Sequence, residues 1–345
     1  MICSVIKTPA AIAGLFVLSM IGSAEEPLLA PPYRWKASGV LVASEKGRED
    51  PCHAIKDPTV VRHDGKWHVF ATIRSKTRTH QIEYLAFEDW AKADGAKRHV
   101  LTFNPGYFCA PQVFYFTPHR KWYLIHQIAV KGRKPELQPA FSTSEKIDDP
   151  NGWSASTPLV EKDAPGMKTW IDFWVICDEE KAHLFFTSFE GKFWRAETKL
   201  ADFPRGWTTP QVVLEGDFWE AAHVYKVKGS TRFFAMIEAE DKQRGNARYY
   251  KAYAADKLDG KWRPLADSRE NPFASRANLA AAGGETWSDS VSHGELLRTG
   301  FDERLEVDPV DVKFLYQGVS DTDRRGKAYG EIPWKLGILE LAPPG

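Results

Sequence analysis

Short apolar runs alternate with polar turns from Lys56 to Leu341, and long stretches of helical period are nearly absent. The runs come in pairs, and a tryptophan closes each pair. Asp57-Pro58-Thr59-Val60-Val61 leads through His63 to Lys66 into Trp67-His68-Val69-Phe70-Ala71 and ends at Trp90. Ala110-Pro111-Gln112-Val113-Phe114 leads into Trp122-Tyr123-Leu124-Ile125 and ends at Trp153. Asp172-Phe173-Trp174-Val175-Ile176 leads into His183-Leu184-Phe185-Phe186 and ends at Trp207. Glu220-Ala221-Ala222-His223-Val224 leads into Arg232-Phe233-Phe234-Ala235 and ends at Trp262. A looser fifth copy pairs His293-Gly294-Glu295-Leu296-Leu297 with Val312-Lys313-Phe314-Leu315-Tyr316. Units of a few dozen residues, all strand and turn, predict an all-β, five-bladed β-propeller.

Three further elements are expected. Ala86 to Lys97 suits a helical turn or two in a connection, and Asn271 to Asp289 reads as a loop reaching over one face. Tyr329 to Leu341 carries a late strand that either completes the last blade or returns to the first, protecting sheet edges.

The N-terminus changes the domain count. Lys7, the apolar stretch Ala10 to Met20 and the small residues Gly22-Ser23-Ala24 read as a signal peptide over residues 1–24. That stretch is too short to span a bilayer. Residues 25–345 then form a single catalytic propeller, secreted to the exterior or periplasm, with no Gly/Ser-rich or Pro-rich linker to divide it. Lys plus Arg and Asp plus Glu each total 46, which argues against a nucleic-acid partner and suits a neutral substrate. The thirteen tryptophans either pack between blades or offer flat faces to sugar rings, and packing is the expectation for those that close the units. Beyond Cys3, the odd set Cys52, Cys109 and Cys177 leaves at least one free thiol, with Cys177 an inert core residue. No spacing suits a zinc or redox centre.

A propeller brings the openings of its inner strands to one mouth of the central channel. Asp57, Asp172 and Glu220 therefore converge, and like charges taken out of water raise one another's pKa. The chemistry that fits is glycosidic cleavage, with one protonated carboxyl and one ionised carboxylate. Glu220, flanked by Phe218 and Trp219, is the expected general acid; Asp57, next to Lys56, is the expected base. His293 at the same mouth either binds a cation, holds a water, orients a carboxylate or is an interior hydrogen-bonded histidine. Tyr316, in Tyr316-Gln317-Gly318, either meets a sugar ring or packs.

Lys56-Asp57-Pro58-Thr59, Ala110-Pro111-Gln112-Val113-Phe114-Tyr115-Phe116, Ile171-Asp172, Leu184-Phe185-Phe186, Phe218-Trp219-Glu220-Ala221, Ser292-His293-Gly294-Glu295-Leu296-Leu297-Arg298 and Leu315-Tyr316-Gln317-Gly318 follow in an order that resembles glycoside hydrolase family 62. The resemblance runs from Trp35 to Leu341. It implies an α-L-arabinofuranosidase that removes side groups from arabinoxylan with inversion. It further implies Asp57 as base, Glu220 as acid and Asp172 as the carboxylate that tunes the acid. Lys56, Tyr316 and Gln317 would bind substrate, and His293 would lie near a structural calcium ion at the axis. No organic cofactor is implied, the partner is the polysaccharide, no membrane is involved, and the protein is expected to be a monomer. Phe173-Trp174 after Asp172 and Phe218-Trp219 before Glu220 depart from the family's usual Gln-Thr and Leu-Phe and add bulk beside catalytic positions. Two alternatives remain: a related five-bladed β-xylosidase or arabinanase, and a sugar-binding propeller without catalysis.

Overall fold

The computed structural model describes residues 1, 26–45, 47, 49–164, 166–281 and 286–343, and the expected signal segment lies almost wholly outside them. Five sheets of four or five strands make the blades of a propeller. Blade one runs from the channel outward as Cys52–His63, Lys66–Ser75, His80–Phe87 and Arg98–Val100. Blade two is Phe108–Phe116, Lys121–Ala129, Leu137–Ser144 and Thr157–Pro158, and blade three is Ile171–Cys177, Lys181–Ser188, Lys192–Lys199 and Gln211–Glu215. Blade four is His223–Val227, Phe233–Asp241, Ala247–Ala255 and Arg263–Ala266, with Glu306–Val307 added in parallel beside its inner strand. Inner strands are buried on both faces, which explains their continuous apolar runs: every residue of Ile171–Cys177 is buried.

Blade five closes the ring. Ser290–Leu296, Lys313–Val319 and Lys335–Leu341 pair antiparallel, and Trp35–Ala37 from near the start of the chain pairs antiparallel with the last of them. The late strand therefore completes the last blade. Leu279–Ala281 adds outside Trp35–Ala37 in parallel, so part of the segment expected to be loop is an edge strand. The connection near Ala86 is a 3-10 helix, Trp90–Gly95, whose Ala91 N–H is capped by Asp89 at 2.9 Å.

Two unit-closing tryptophans pack across a blade boundary. Trp153, just before the outermost strand of blade two, meets Phe70 of blade one edge-on at 5.5 Å, and Trp262, just before the outermost strand of blade four, meets Phe185 of blade three at 6.2 Å. Cys52, Cys109 and Cys177 are all buried, and Cys109 and Cys177 are free thiols. No helix of the described residues is long and apolar enough to cross a membrane.

An ion pair plugs the channel beneath its mouth. Arg298 and Glu295 are both fully buried with Nε and Oε1 2.5 Å apart. Arg298 also donates to the carbonyls of Val60 and Val113 on the inner strands of blades one and two. Thr59 Oγ1 donates to Glu295 at 2.6 Å. Burial on this scale is tolerated only where both charges find such partners.

Candidate active site

Each of the first three inner strands bulges where it enters the channel. Two residues, Asp57-Pro58, Ala110-Pro111 or Asp172-Phe173, stand where the ladder to the second strand shifts register. Asp57, Ala110, Asp172 and Ala221 have positive φ values of 47°, 49°, 57° and 50°. Such φ values are uncommon for non-glycine residues and are a form of local strain that clusters at functional sites. The repeat of φ fixes the true register of the units. Ala221, not Glu220, is the counterpart of Asp57 and Asp172. Glu220 precedes it and sits on the ladder opposite Glu238, so it occupies the place that Lys56 holds in blade one. The expectation that the three carboxylates occupy matching places is corrected by one residue.

Side chains from neighbouring blades hold these bulges. Gln317 Oε1 accepts the N–H of Asp57 at 2.7 Å, Thr72 Oγ1 accepts that of Ala110 at 2.8 Å, and Glu238 Oε2 accepts that of His293 at 2.7 Å. All three acceptors lie on the second strand of the preceding blade. At blade four the pattern changes, and Asp172 itself accepts the N–H of Ala221 at 2.9 Å. A buried N–H left unbonded costs about 1–3 kcal/mol, so these bonds bear directly on where the catalytic candidates sit.

Asp57, Asp172, Glu220, Lys56 and His293 come together at the mouth, each between 4 and 9 % exposed. That exposure leaves only a narrow opening. Lys56 Nζ lies 3.2 Å from Asp57, and His293 Nδ1 lies 3.5 Å from Asp57 and 3.7 Å from Asp172. Burial pushes the pKa of Asp57 up, but the Lys56 ammonium, His293 and a hydrogen bond from Thr72 more than offset it, leaving Asp57 below its ordinary value. Asp172 goes the other way, raised to about 7 by burial and by the charge of Asp57. Glu220 is also raised, by burial first and by Asp172 in addition, against the opposing pull of Arg248 and Lys56. Burial keeps His293 below the usual imidazole range despite Asp57 and Glu220 nearby. The site thus favours the ionised form of Asp57 and the protonated forms of Glu220 and Asp172, the kind of division that acid–base cleavage requires.

Tyr316 and Gln317 are placed differently from expectation. Tyr316 is fully buried, stacks on Trp287 at 5.6 Å, and its hydroxyl has no hydrogen-bond partner. Gln317 is equally buried, its amide spanning the Asp57 N–H and Ser292 Oγ, the latter at 2.9 Å. Neither is exposed at the opening, and Gln317 touches the backbone of Asp57. Tyr329, in the 3-10 turn Tyr329–Glu331, does stand at the mouth. Its hydroxyl lies 3.4 Å from Glu220 Oε1 and its ring 5.2 Å from Lys56 Nζ. Nothing periodic marks that turn in the sequence.

Behind Glu220 stands a polar group that the sequence did not reveal. Glu238, fully buried, accepts from Ser292 Oγ at 3.0 Å and faces Arg248 Nη1 at 3.6 Å. The Arg248 guanidinium lies 4.7 Å from the Trp219 ring. Trp219 therefore lines the opening, as its position beside the acid suggested. Phe173 and Trp174 do not: Phe173 packs on Trp170 and Phe186, and Trp174 stacks on His223 at 4.0 Å and donates to the Val224 carbonyl.

The implied calcium can be tested against the donors around His293. Calcium takes six to eight oxygen ligands. The imidazole Nδ1 is turned toward Asp57 and Asp172, and among the described residues no group of three or more His, Cys, Asp and Glu is arranged to hold a metal ion. These side chains do not fit a protein cage for calcium, and no step of the chemistry is routed through one.

The sequence model of glycosyl hydrolase family 62 matches residues 34–340. The chain belongs to this family. It is 37 % identical over 321 residues to α-L-arabinofuranosidase C of Cellvibrio japonicus, covering 91 % of this chain. The chain spans about half the length of that curated relative, 48 %. The catalytic domain of a family 62 α-L-arabinofuranosidase from Coprinopsis cinerea superposes with a TM-score of 0.82 at 36 % identity, covering 90 % of this chain and 97 % of its own. An α-L-arabinofuranosidase from Podospora anserina, solved with cellotriose, gives 0.83 at 33 % identity, covering 92 % and 99 %. A family 62 hydrolase solved with xylotriose gives 0.80 at 35 %, covering 89 % and 97 %.

Proposed function

We propose that this protein is an α-L-arabinofuranosidase that removes arabinofuranosyl side groups from arabinoxylan with inversion. The observation that carries the reading is the opposed environment of two carboxyls at one opening. Asp57 lies against Lys56, which favours its ionised form, whereas Glu220 is buried, which favours its protonated form. Glu220 gives its proton to the glycosidic oxygen as the bond to the anomeric carbon breaks. Asp57 takes a proton from water as that water attacks the opposite face of the sugar. The sugar leaves as the inverted anomer, and proton exchange with solvent resets both groups. Asp172 supports the acid by charge and by its bond to the neighbouring N–H. Lys56 and Tyr329 border the space left for the sugar. The names of the relatives support arabinofuranose as the group released, and the one solved with xylotriose supports a xylan main chain.

Export after loss of residues 1–24 belongs to the same reading and is supported by the sequence of that segment. The test is arabinose release from arabinoxylan by Asp57→Asn and Glu220→Gln, each checked for folding by circular dichroism. Both are expected to lose at least about a hundredfold in kcat, since acid–base groups contribute about 10²–10⁴-fold each. Near wild-type turnover in either folded variant overturns these roles.

A further inference from the structure

Trp219 separates two hollows that open beside Glu220, and they differ in charge. The hollow on the Tyr329 side, about 800 Å³, is lined by the cations Arg244, Arg248, Arg324, Arg325 and Lys327, against two carboxylates. The other, about 650 Å³, is lined by six carboxylates against three cations. The whole chain carries equal numbers of each sign, so this segregation is local.

The cationic hollow is firmly built. Arg324 donates to the carbonyls of Gly245 and Arg244 at 2.6 and 2.7 Å and pairs with Asp321 at 2.8 Å, tying its segment to blade four. Arg248, only 7 % exposed, is held over Trp219 with its Nη1 3.1 Å from Glu240 and 3.6 Å from Glu238. Arg325 and Lys327 follow Arg324 closely, are exposed, and form no ion pair among the described residues. Trp219, Tyr329 and Trp334 supply the remaining wall. Flat aromatic faces suit the C–H surface of a sugar, and unpaired cations suit a carboxylate.

We propose that this hollow takes an acidic sugar, a hexuronate carried by the polymer near the arabinose that is removed. The anionic hollow repels the same group, so an acidic polymer is drawn onto the face in one direction. This inference rests on the reading that the face binds a polysaccharide.

The test compares the full chain on a uronate-bearing arabinoxylan and on the same polymer after its carboxyls have been reduced to alcohols. The expected ratio of kcat/KM, acidic over reduced, is about 3–10 at low ionic strength and falls toward one at about 0.5 M salt, as screening of an exposed site requires. Charge reversal in Arg325→Glu with Lys327→Glu should bring the ratio below one. A ratio of one at low salt in the wild type overturns the inference, as does a preference that survives charge reversal. Arabinose release from the reduced polymer reports on the proposed activity itself, and its absence from both polymers overturns the activity and the inference together.

Discussion

The carboxylate of Asp172 accepts the backbone N–H of Ala221, the residue that follows Glu220, at 2.9 Å. Asp172 therefore does two separable things: it raises the pKa of Glu220 by charge, and it holds the left-handed turn on which Glu220 is carried. Asparagine keeps an acceptor and loses the charge; alanine loses both. Asp172→Asn should move the alkaline limb of the kcat/KM profile to lower pH with little further loss at its optimum. Asp172→Ala should show the same displacement plus a further drop of about tenfold, because the unbonded N–H costs about 1–3 kcal/mol. Identical profiles for the two variants would remove the positioning role.

Asp172 also sets a stability trade-off with pH. Its folded pKa, about 7, lies above the ordinary value of 3.8. A group raised in this way favours folding fully below its unfolded pKa, and that contribution is lost as pH rises through the folded pKa. Between about pH 4 and 7 the unfolded chain ionises this carboxyl while the native state keeps it protonated, so the native state loses stability as pH rises. Asp172→Asn escapes that cost, so thermal unfolding at pH 8 should show the variant more stable than wild type by on the order of 1–4 kcal/mol. At pH 4 the two should nearly coincide. A variant no more stable at pH 8 than at pH 4, relative to wild type, contradicts the assignment.

Two tyrosines offer a sharper contrast. Tyr329 directs its hydroxyl at Glu220, while the hydroxyl of Tyr316 has no partner among the described residues. Tyr329→Phe should lower kcat on arabinoxylan by about tenfold, the equivalent of ~1.4 kcal/mol of lost support for the acid. Tyr316→Phe removes only an unsatisfied polar atom and should leave kcat within about twofold, with stability unchanged or slightly raised. Steady-state kinetics beside thermal melts decide between the two.

The five units were legible because inner strands buried on both faces must be apolar throughout, and turns between them must be polar. Their residue-by-residue alignment was not. Letters alone pair Glu220 with Asp57, whereas the bulge conformation pairs Ala221 with it, and an alanine gives no sign of a positive φ. Tyr316-Gln317 drew attention because it follows an apolar strand; burial turns that tyrosine onto Trp287 and that amide onto Asp57. Tyr329 was invisible because a short 3-10 turn has no periodicity and reaches the site only through the closure of blade five. That closure depends on Trp35–Ala37 meeting Lys335–Leu341, a pairing across nearly the whole chain that no local pattern encodes. Residues that act through the backbone of others, such as Glu238 and Thr72, carry no motif either.

Asp57 and Glu220 are assigned to opposite faces of the sugar, one acting on water and the other on the leaving oxygen. Proton NMR of arabinoxylan hydrolysis, recorded before mutarotation sets in, tests that division of labour. β-L-arabinofuranose is expected to appear first, with the α anomer following only as the product equilibrates. First appearance of the α anomer would mean that the configuration is retained through a covalent intermediate, and would contradict Asp57 as a base acting on water.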